Sequence, residues 1–359
     1  MRGLRNVLVT GGSGFIGSNT IRYLFARGEF EGRVINVDAL TYAGNPDNLI
    51  EVDEEHGPAG DRRYRFVHGD ITDFDLVTDL FTQHDIDTVL HFAAESHVDR
   101  SIIGPRAFIQ TNMIGTYNLL EAARARWTGR DDVLFHHVST DEVFGSLGDD
   151  GAFTEATPYD PRSPYSASKA ASDHLVRAWG HTYGLPFTLS NCSNNYGPYQ
   201  FPEKMIPLMI LNMMDRKPLP VYGDGSNIRD WLFVDDHSSA LWNILTAGTA
   251  GMTYLIGGEN EWRNIDLVKR LCAIVADETG CEERELTDLI TYVTDRPGHD
   301  LRYAIDCSRI KRDLSWRQTY SFADGLRATV RWYRDNPDWV SRVRSGDYRR
   351  WIAANYSAR

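Results

Sequence analysis

A glycine-rich turn near the N-terminus constrains the fold more than any other feature of the sequence. The apolar run 7–10 leads into Gly11, Gly14 and Gly17, which have the spacing GxxGxxG, and apolar residues at helical spacing begin at Phe15. A strand, a tight glycine turn and a helix together let the backbone approach a pyrophosphate at the helix N-terminus. The pattern therefore predicts a dinucleotide site, and a turn with a purely structural role is the alternative.

The first half of the chain alternates short apolar runs with amphipathic stretches. The predicted strands are 7–10, 34–37, 64–67, 88–92, 133–138 and 186–190. The later helical patterns are 73–83, 105–126 and 164–183. The polar stretch 53–63 predicts a surface loop. Continuous apolar strands between helices indicate a parallel sheet covered on both faces, so we predict an α/β fold with a Rossmann-type doubly wound parallel sheet.

Prolines interrupt this rhythm after about residue 190, and only short strand and helix patterns follow. We expect residues 1–190 to form the dinucleotide-binding domain and to carry the catalytic residues. Residues 191–359 should form mainly a smaller, irregular C-terminal substrate lobe at the carboxyl edge of the sheet. Some segments of this second half should return to the first domain.

The charge balance of the 359 residues argues against several kinds of partner. With 38 Lys and Arg against 50 Asp and Glu, the net charge is −12, which disfavours extended binding to nucleic acid or to an anionic membrane. The four cysteines lie far apart without a metal-ligand spacing, so we predict reduced thiols and no metal. The N-terminus leads directly into a strand, and no apolar run reaches the ~20 residues of a membrane span. We expect a cytoplasmic protein.

Carboxylates follow the second and third predicted strands. Asp38 lies 21 positions after the third glycine of the turn, where a carboxylate accepts hydrogen bonds from the ribose hydroxyls of adenosine and repels a 2′-phosphate. This position favours NAD over NADP. Asp70, which precedes Ile71, either reaches the adenine amino group or caps the next helix, and the sequence leaves both open. Ala93 and Ala94, after the fourth strand, leave room for a cofactor to pass close to the backbone.

Tyr165 and Lys169 are four positions apart, which places a phenol and an ammonium on one face of a helix. Such a pair is common on protein surfaces, but after a dinucleotide turn and several α/β units it indicates a catalytic dyad. Lys169 and a positively charged nicotinamide would together lower the phenol's pKa from its usual ~10. Tyr165 would then remove a hydroxyl proton as hydride leaves the same carbon.

Two carboxylates, Asp141 and Glu142, follow the fifth predicted strand. Successive strand residues point to opposite faces, so both can address one small substrate only from a turn just past the strand end. One acid and one base at the same substrate suit an elimination. A role as helix-capping acids is the alternative.

Taken together, these motifs resemble the dTDP-glucose 4,6-dehydratase family of the extended short-chain dehydrogenase/reductase superfamily. The matching stretches are 10–17, 91–101, 139–142, 165–169, 191–198 and 229–231. The resemblance runs from about residue 5 to near Tyr348, and its most specific element is Thr140-Asp141-Glu142, where related epimerases and decarboxylases usually carry Ser or Ser-Glu variants. Phe144 replaces the family's usual tyrosine, a change we expect to be harmless because this side chain does not react.

The resemblance implies a role for each catalytic residue. Thr140 hydrogen-bonds the sugar near C4, Asp141 protonates the departing C6 hydroxyl, and Glu142 accepts the C5 proton. Tyr165 is the base at the C4 hydroxyl, and Lys169 holds the nicotinamide ribose. The implied cofactor is NAD, the substrate dTDP-glucose and the net reaction a dehydration. The cofactor-binding residues that we predict are Gly11, Gly14, Phe15, Ile16, Gly17, Asp38, Ala39, Leu40, Thr41, Asp70, Ile71, Ala93, Ala94, Ser96, Thr111, Tyr165, Lys169 and Asn195.

A diphosphate in the substrate explains how an acidic protein can bind an anion, because Arg offers a bidentate fork to phosphate. The substrate residues implied by the resemblance are Ser96, Thr140, Asn194, Lys204, Met205, Pro220, Tyr222, Arg229, Asn264, Asp295, Arg296 and His299. For each basic residue taken singly, an ordinary surface position is the alternative.

Two other functions compete with this reading. An NAD-dependent sugar-nucleotide 4-epimerase or decarboxylase shares the fold, but epimerisation at C4 needs no acid at C6. A non-catalytic dinucleotide sensor has no reason to keep both acids beside the dyad. The resemblance also implies a homodimer, in which helices near 105–126 and 164–183 pair with their copies as a four-helix bundle.

Overall fold

Short strands and helices alternate along the whole chain. The computed structural model describes residues 2–295 and 299–345. The strands are β1 (Asn6–Thr10), β2 (Arg33–Asp38), β3 (Tyr64–His68), β4 (Thr88–His91), β5 (Leu134–Thr140), β6 (Phe187–Cys192), β7 (Asn194–Tyr196), β8 (Leu219–Tyr222), β9 (Ile228–Phe233), β10 (Thr253–Ile256), β11 (Glu261–Arg263) and β12 (Ile290–Val293).

Helices follow most of these strands. The α-helices are α1 (Phe15–Ala26), α2 (Ile50–His56), α3 (Phe74–His84), α4 (Val98–Ile103), α5 (Pro105–Phe108), α6 (Thr116–Trp127), α7 (Pro164–Tyr183), α8 (Met205–Met214), α9 (Val234–Ala247), α10 (Asn264–Thr279), α11 (Glu283–Thr287), α12 (Ser308–Leu314), α13 (Phe322–Asp335) and α14 (Pro337–Ser345). Two 3₁₀ turns (Pro46–Leu49 and Asp141–Phe144) and a π-helical segment (Ile109–Gly115) complete the helical elements of the described residues.

Parallel strands form the central sheet. Within the described residues its seven strands lie in the order β10-β6-β5-β4-β1-β2-β3, and each neighbouring pair is parallel. The inner strands are buried on both faces, and all seven residues of β5 are inaccessible, as expected when helices cover both sides. The strand order reverses between β1 and β4, where ligands bind in such sheets. The predicted Rossmann-type α/β fold is confirmed.

The second half of the chain contributes to both parts of the molecule. Strand β10 extends the central sheet beside β6, and Asn19 of α1 is hydrogen-bonded to Asp235 and Ser238 at the start of α9. The remaining strands form small sheets, β11-β9-β7 and β12-β8. Their apolar residues pack with α8, α10 and α13 into a separate core, which we call the C-terminal lobe.

Two local predictions were wrong. The segment 105–126 is not a continuous α-helix, because a π-helical turn spans Ile109–Gly115. There the amide of Asn112 is hydrogen-bonded to both the N–H and the carbonyl of Glu95. The predicted loop at 53–63 is helical as far as His56, because α2 continues into it.

The last described helix packs back on the first domain. The indole N–H of Trp339 in α14 donates to Asn48 Oδ1 at 2.9 Å, and Asn48 Nδ2 donates to the carbonyl of Ser13 in the glycine turn at 3.0 Å. The C-terminal lobe thereby supports the glycine turn through Asn48. Over the described ranges 2–295 and 299–345, no helix is long and apolar enough to cross a membrane.

Candidate active site

A cleft of about 330 Å³ opens at the carboxyl ends of the central strands. One side is formed by the glycine turn and the segments after β2, β3 and β4. The other side, which we call the catalytic wall, is formed by residues 138–142 with Tyr165 and Lys169 of α7. The lobe contributes Asn194, Gln200, Phe201 and Lys204 to the lining.

The glycine turn has the shape that a dinucleotide needs. Gly11 has a φ of +69°, and a Cβ there would lie 2.7 Å from the backbone nitrogen of Ala93. A Cβ on Gly17 would clash with the carbonyl oxygen of Gly11. Only glycine therefore allows the turn to close against α1 and β4, and the N-terminus of α1 then faces the cleft, where it attracts phosphate. This geometry fits a dinucleotide pyrophosphate.

Asp38 ends β2 inside the cleft. Its carboxylate accepts hydrogen bonds from the backbone N–H groups of Ser13 at 2.9 Å and Leu40 at 2.8 Å. Burial raises the pKa of Asp38, while these two N–H groups act in the opposite direction. A carboxylate has about four acceptor sites, so two remain for the hydroxyls of a ribose.

Asp70 is not a helix cap. Helix α3 begins at Phe74 and is capped by Asp73, which accepts from the N–H of Leu76. Asp70 accepts from the N–H of Thr72 and lines the cleft. The helix-cap role is therefore excluded, and a role of Asp70 toward the cofactor stays a prediction.

The other residues predicted to bind the cofactor gather around this cleft, with one exception. Those in the lining are Gly11, Gly14, Phe15, Ile16, Gly17, Ala39, Thr41, Ile71, Ala93, Ala94, Ser96, Thr111 and Asn195. Leu40 is buried outside it and takes part through its backbone N–H to Asp38. Asn195 is oriented by His237, whose Nδ1 lies 2.8 Å from its Oδ1.

The turn after β5 presents both carboxylates to the cleft. Thr140 ends the strand and caps the 3₁₀ turn, because its Oγ1 accepts from the N–H of Glu142 at 3.3 Å. Asp141 and Glu142 both line the cleft, as required if they are to serve one substrate. Neither is the cap itself, which removes the alternative role left open by the sequence.

Asp141 is almost completely buried. It is 2% exposed, and burial, followed by the neighbouring Glu142 and Asp230, raises its pKa well above the ordinary value. A hydrogen bond from Thr140 and the more distant Arg229 only partly oppose this. Burial therefore favours the protonated form of Asp141 beside Glu142.

Helix α7 carries the tyrosine–lysine pair. Its N-terminus is fixed by a capping box between Ser163 and Ser166, with Pro164 in the first turn. Tyr165 is buried and hydrogen-bonded to Thr140. Burial and then Glu142 raise the pKa of Tyr165 well above 10, and its lowering by Lys169 together with a bound nicotinamide stays a prediction. The protein's own groups do not make this phenol a base, so an added positive charge is required.

Lys169 lies deeper in the same wall. Its ammonium donates to the carbonyl of Val138 at 2.9 Å and lies 3.3 Å from Nε2 of His137. Burial lowers the pKa of Lys169 to about 8, and Asp173 opposes this change. The lysine titrates within the range in which enzymes work.

The residues predicted to bind substrate fall into two groups. Ser96, Thr140, Asn194 and Lys204 line the cleft. The others lie in the lobe outside that lining and are Met205, Pro220, Tyr222, Arg229, Asn264, Asp295 and His299. Arg296 lies outside the described residues. Because the second group lies outside the cleft lining, its role in substrate binding stays a prediction.

Arg229 is buried and strongly anchored. Its guanidinium donates to the carbonyls of Ile228, Asp300 and Leu301 and lies 4.3 Å from the ring centroid of Tyr303. These bonds fix its position at the start of β9. His299 Nδ1, farther along the chain, lies 2.6 Å from Asp295 Oδ1.

Several cleft residues were missed by the sequence analysis. Tyr42, Glu95, Cys192, Gln200 and Phe201 all line the cleft. Cys192 ends β6 beside β5, so its place at a strand end was a usable signal. Gln200 and Phe201 come from the lobe, and no local pattern marks them.

This fold and site define a class: a Rossmann-type protein with a dinucleotide cleft and a tyrosine–lysine dyad on the opposing wall. A family model described as GDP-mannose 4,6 dehydratase matches residues 8–329. A dTDP-glucose 4,6-dehydratase of Shigella flexneri is 53% identical over 367 residues, which cover 98% of this chain and 99% of that protein. Another from Neisseria meningitidis is 55% identical and covers 96% and 98%.

Solved structures agree with these relatives. A dTDP-glucose 4,6-dehydratase of Streptomyces venezuelae, solved with NAD bound, superimposes with a TM-score of 0.83 at 47% identity, covering 93% of this chain and 98% of that one. The chain belongs to the dTDP-glucose 4,6-dehydratase family, as its motifs predicted.

Proposed function

We propose that the protein converts dTDP-glucose to dTDP-4-keto-6-deoxyglucose, with NAD as a regenerated cofactor. The observation that carries the proposal is the catalytic wall, where the buried Asp141, whose pKa burial raises, lines the same cleft as Glu142, Tyr165 and Lys169. The two relatives reported above are named after this reaction. The product of this reaction would be used in deoxysugar synthesis.

The residues present fit NAD. Gly11 and Gly17 allow the close approach of a pyrophosphate, and Asp38 keeps acceptor sites for a ribose that carries both hydroxyls. Lys169 would hold the nicotinamide ribose. The chemistry that NAD supplies when bound is to take hydride from C4 of the sugar and to return it to C6.

The chain's own residues move the protons. Tyr165 removes the C4 hydroxyl proton, and the ketone that results acidifies the hydrogen at C5. Glu142 then removes the C5 proton, while Asp141 protonates the C6 hydroxyl so that it leaves as water. A proton that has exchanged with water returns to C5 to complete the product. Thr140, which is hydrogen-bonded to Tyr165, orients the phenol toward the sugar. One acid and one base on a single turn are what this elimination needs.

The substrate lobe supplies positive charge for the diphosphate. Lys204 lines the cleft just before α8, and Arg229 is fixed by backbone carbonyls nearby in the lobe. We assign the diphosphate to these two residues, with Asn194 beside them. Tyr222 and His299, whose rings are 6.3 Å apart, are assigned to the base and sugar end of the nucleotide. The division into domains at residue 190 remains part of this proposal.

The buried acid distinguishes this reaction from its rivals. A 4-epimerase or decarboxylase has no use for a proton donor at C6, and a dinucleotide sensor has no use for the dyad. Asp141 is costly to bury, because its charged form is disfavoured there. A residue kept at that cost is best explained by the elimination.

Product analysis with isotopes tests the proposal. The chain should turn dTDP-glucose into a 4-keto-6-deoxy sugar, and deuterium placed at C4 should reappear at C6 without dilution by solvent. Turnover in D₂O should place solvent deuterium at C5, because the Glu142 carboxylate exchanges with water. A sugar inverted at C4 would instead identify an epimerase, and solvent deuterium at C6 would exclude internal return of the label.

We also propose a homodimer through α6 and α7. Apolar side chains near these helices are exposed: Ile103 by 88%, Tyr183 by 53%, and Ile109, Ile114 and Tyr117 by 42% each. Pairing with a second copy in a four-helix bundle would cover them. Sedimentation should give twice the chain mass of 40.7 kDa, and a single-chain mass would contradict this interface. The cytoplasmic location stays a prediction.

A further inference from the structure

A buried charged group stands behind the catalytic wall, outside the cleft lining. Asp173 and His137 are each 0% exposed. Nε2 of His137 lies 3.3 Å from Nζ of Lys169 and 3.2 Å from Oδ1 of Asp173. One imidazole nitrogen thus lies close to both the catalytic ammonium and a carboxylate that has no role in the proposed reaction.

Several hydrogen-bond donors meet one carboxylate oxygen of Asp173. Its Oδ2 accepts hydrogen bonds from Ser139 Oγ at 2.8 Å, Tyr159 OH at 2.9 Å and Asn191 Nδ2 at 3.4 Å. Burial raises the pKa of Asp173, while the charge of Lys169 and these hydroxyl donors lower it. Three donors on one oxygen are the environment of an anion rather than of a neutral acid.

His137 serves as a neutral spacer. Burial and then the charge of Lys169 lower the pKa of His137 well below its usual value, so its Nε2 accepts a hydrogen bond from the ammonium. His91 of β4, whose ring centroid is 5.0 Å away, is also neutral, with its nitrogens bonded to Thr10 and Thr116.

The other titratable and charged groups around this site come from neighbouring elements. Those that act on Lys169, His137 or Asp173 are His136 of β5, Cys192 of β6, Arg177 of α7 and Tyr159 of the preceding loop. Burial raises the pKa of Cys192 to about 12, so this thiol stays neutral at the pH of the reaction. Among the described residues, Asp173 is the carboxylate that favours the charged form of Lys169.

We propose that Asp173 is the buried counter-ion of the Lys169 ammonium and that His137 holds the ammonium near it. Both are positioning residues: neither touches the cleft, and both act through Lys169. A buried ammonium without a counter-ion would lose its proton. The assignment rests on the proposed function only in giving Lys169 its catalytic role.

Nuclear magnetic resonance of the lysine ε-carbons tests the proposal directly. The chain has five lysines, at 169, 204, 217, 269 and 311, so the Lys169 signal can be identified by its loss in Lys169→Arg. In the purified protein its titration midpoint should fall by about one pH unit in Asp173→Asn, because an opposite charge nearby is lost. This readout needs no turnover and stands even if the proposed reaction fails.

Asp236→Asn is the matched control. Asp236 is another buried carboxylate, 1% exposed, that accepts from Thr319 and Tyr320. It lies on α9, and its carboxylate bonds go to residues 319 and 320 instead of to the catalytic wall. Its replacement should reduce thermal stability and leave the Lys169 midpoint at the wild-type value.

Kinetics supply a second readout. The alkaline limb of the kcat profile should move to lower pH in Asp173→Asn and stay unchanged in Asp236→Asn. An unchanged Lys169 midpoint in folded Asp173→Asn would overturn the proposal. A shifted midpoint in a protein that does not dehydrate dTDP-glucose would retain the counter-ion and reject the proposed function.

If Asp173→Asn does not fold, a pair of His137 variants tests the proposal instead. His137→Gln keeps an uncharged acceptor near the Nε2 position and should keep the Lys169 midpoint. His137→Leu has similar size but no polar atom and should lower it. Equal, wild-type midpoints in both variants would exclude His137 as the spacer and the proposal with it.

Discussion

The catalytic wall and the C-terminal lobe treat charged groups in opposite ways. In the wall, Asp141, Tyr165 and Lys169 are removed from water, and burial is the largest cause of each pKa change. In the lobe, the Arg229 guanidinium is held in place by three backbone carbonyls, which take up only part of its N–H donors. The wall thus sets the pKa values of its titratable groups, whereas the lobe fixes the position of a positive charge. Substitutions in the wall should alter kcat, and substitutions in the lobe should alter KM.

Tyr165→Phe should have the largest effect, because it removes the base for the first step. We expect kcat to fall about 10⁴-fold, at the upper end for general base catalysis. The absorbance of reduced nicotinamide should not develop when dTDP-glucose is mixed with the NAD-loaded variant. NAD affinity should be nearly unchanged, since only a hydroxyl is lost. Turnover at the wild-type rate would remove Tyr165 from the mechanism.

Glu142→Gln should block the second step while sparing the first. The amide cannot take the C5 proton, so we expect kcat to fall about 10³-fold. Reduced nicotinamide should build up on the enzyme, visible by its absorbance in a single turnover. If the variant formed neither reduced nicotinamide nor product, Glu142 would act before elimination. The two carboxylates could then not be assigned to separate steps.

Asp141→Asn should lower activity and raise stability. The amide cannot protonate the C6 hydroxyl, so elimination should slow about 10²-fold. The pKa of Asp141 is raised in the folded state above the unfolded value of 3.8, so stability falls as pH rises through that window. Asparagine does not ionise, and at neutral pH the variant should unfold at a higher temperature than the wild type. An equal or lower unfolding temperature would contradict the cost we assign to this buried acid.

Arg229→Ala should act on binding rather than on the chemical steps. Loss of a charge-assisted contact to phosphate should weaken substrate binding by roughly 1.5–3 kcal/mol, measured by calorimetry with dTDP. NAD affinity should change little. Arg229→Lys is the matched control, since it keeps the charge but not the planar fork. An equal loss of both ligands would make Arg229 a structural residue and weaken the contrast between wall and lobe.

Trp339→Phe should give the smallest effect. It removes the indole donor to Asn48 and keeps an aromatic ring in the buried contact. Loss of this one hydrogen bond should weaken NAD binding by about 0.5–1.5 kcal/mol, with kcat unchanged. A changed kcat would mean that the lobe also controls the chemical steps.

The central sheet was predictable because its signals are local. Apolar runs at strand length, helical spacing between them and glycine at the first turn each depend on a few adjacent residues. The same locality identified Asp38, Asp141 and Glu142, since each directly follows a strand. Ligand sites in such sheets collect at strand ends, so position along the chain was informative.

Features that depend on distant parts of the chain were not predictable. His137 and Asp173 are buried within β5 and α7, where their types look like ordinary interior polar residues until the pairing of β5 with α7 is known. Gln200 and Phe201 reach the cleft from the lobe. The raised pKa of Tyr165 was also missed, because burial cannot be read from a motif.

The contact between Trp339 and Asn48 joins residues 291 positions apart. During synthesis the N-terminal sheet strands leave the ribosome first and can pair early. Asn48, which supports the glycine turn, receives the hydrogen bond from Trp339 only after residue 339 has been made. The cofactor pocket of a nascent chain therefore lacks this support until α14 has been synthesised, so the tightest binding of NAD should follow the docking of α14.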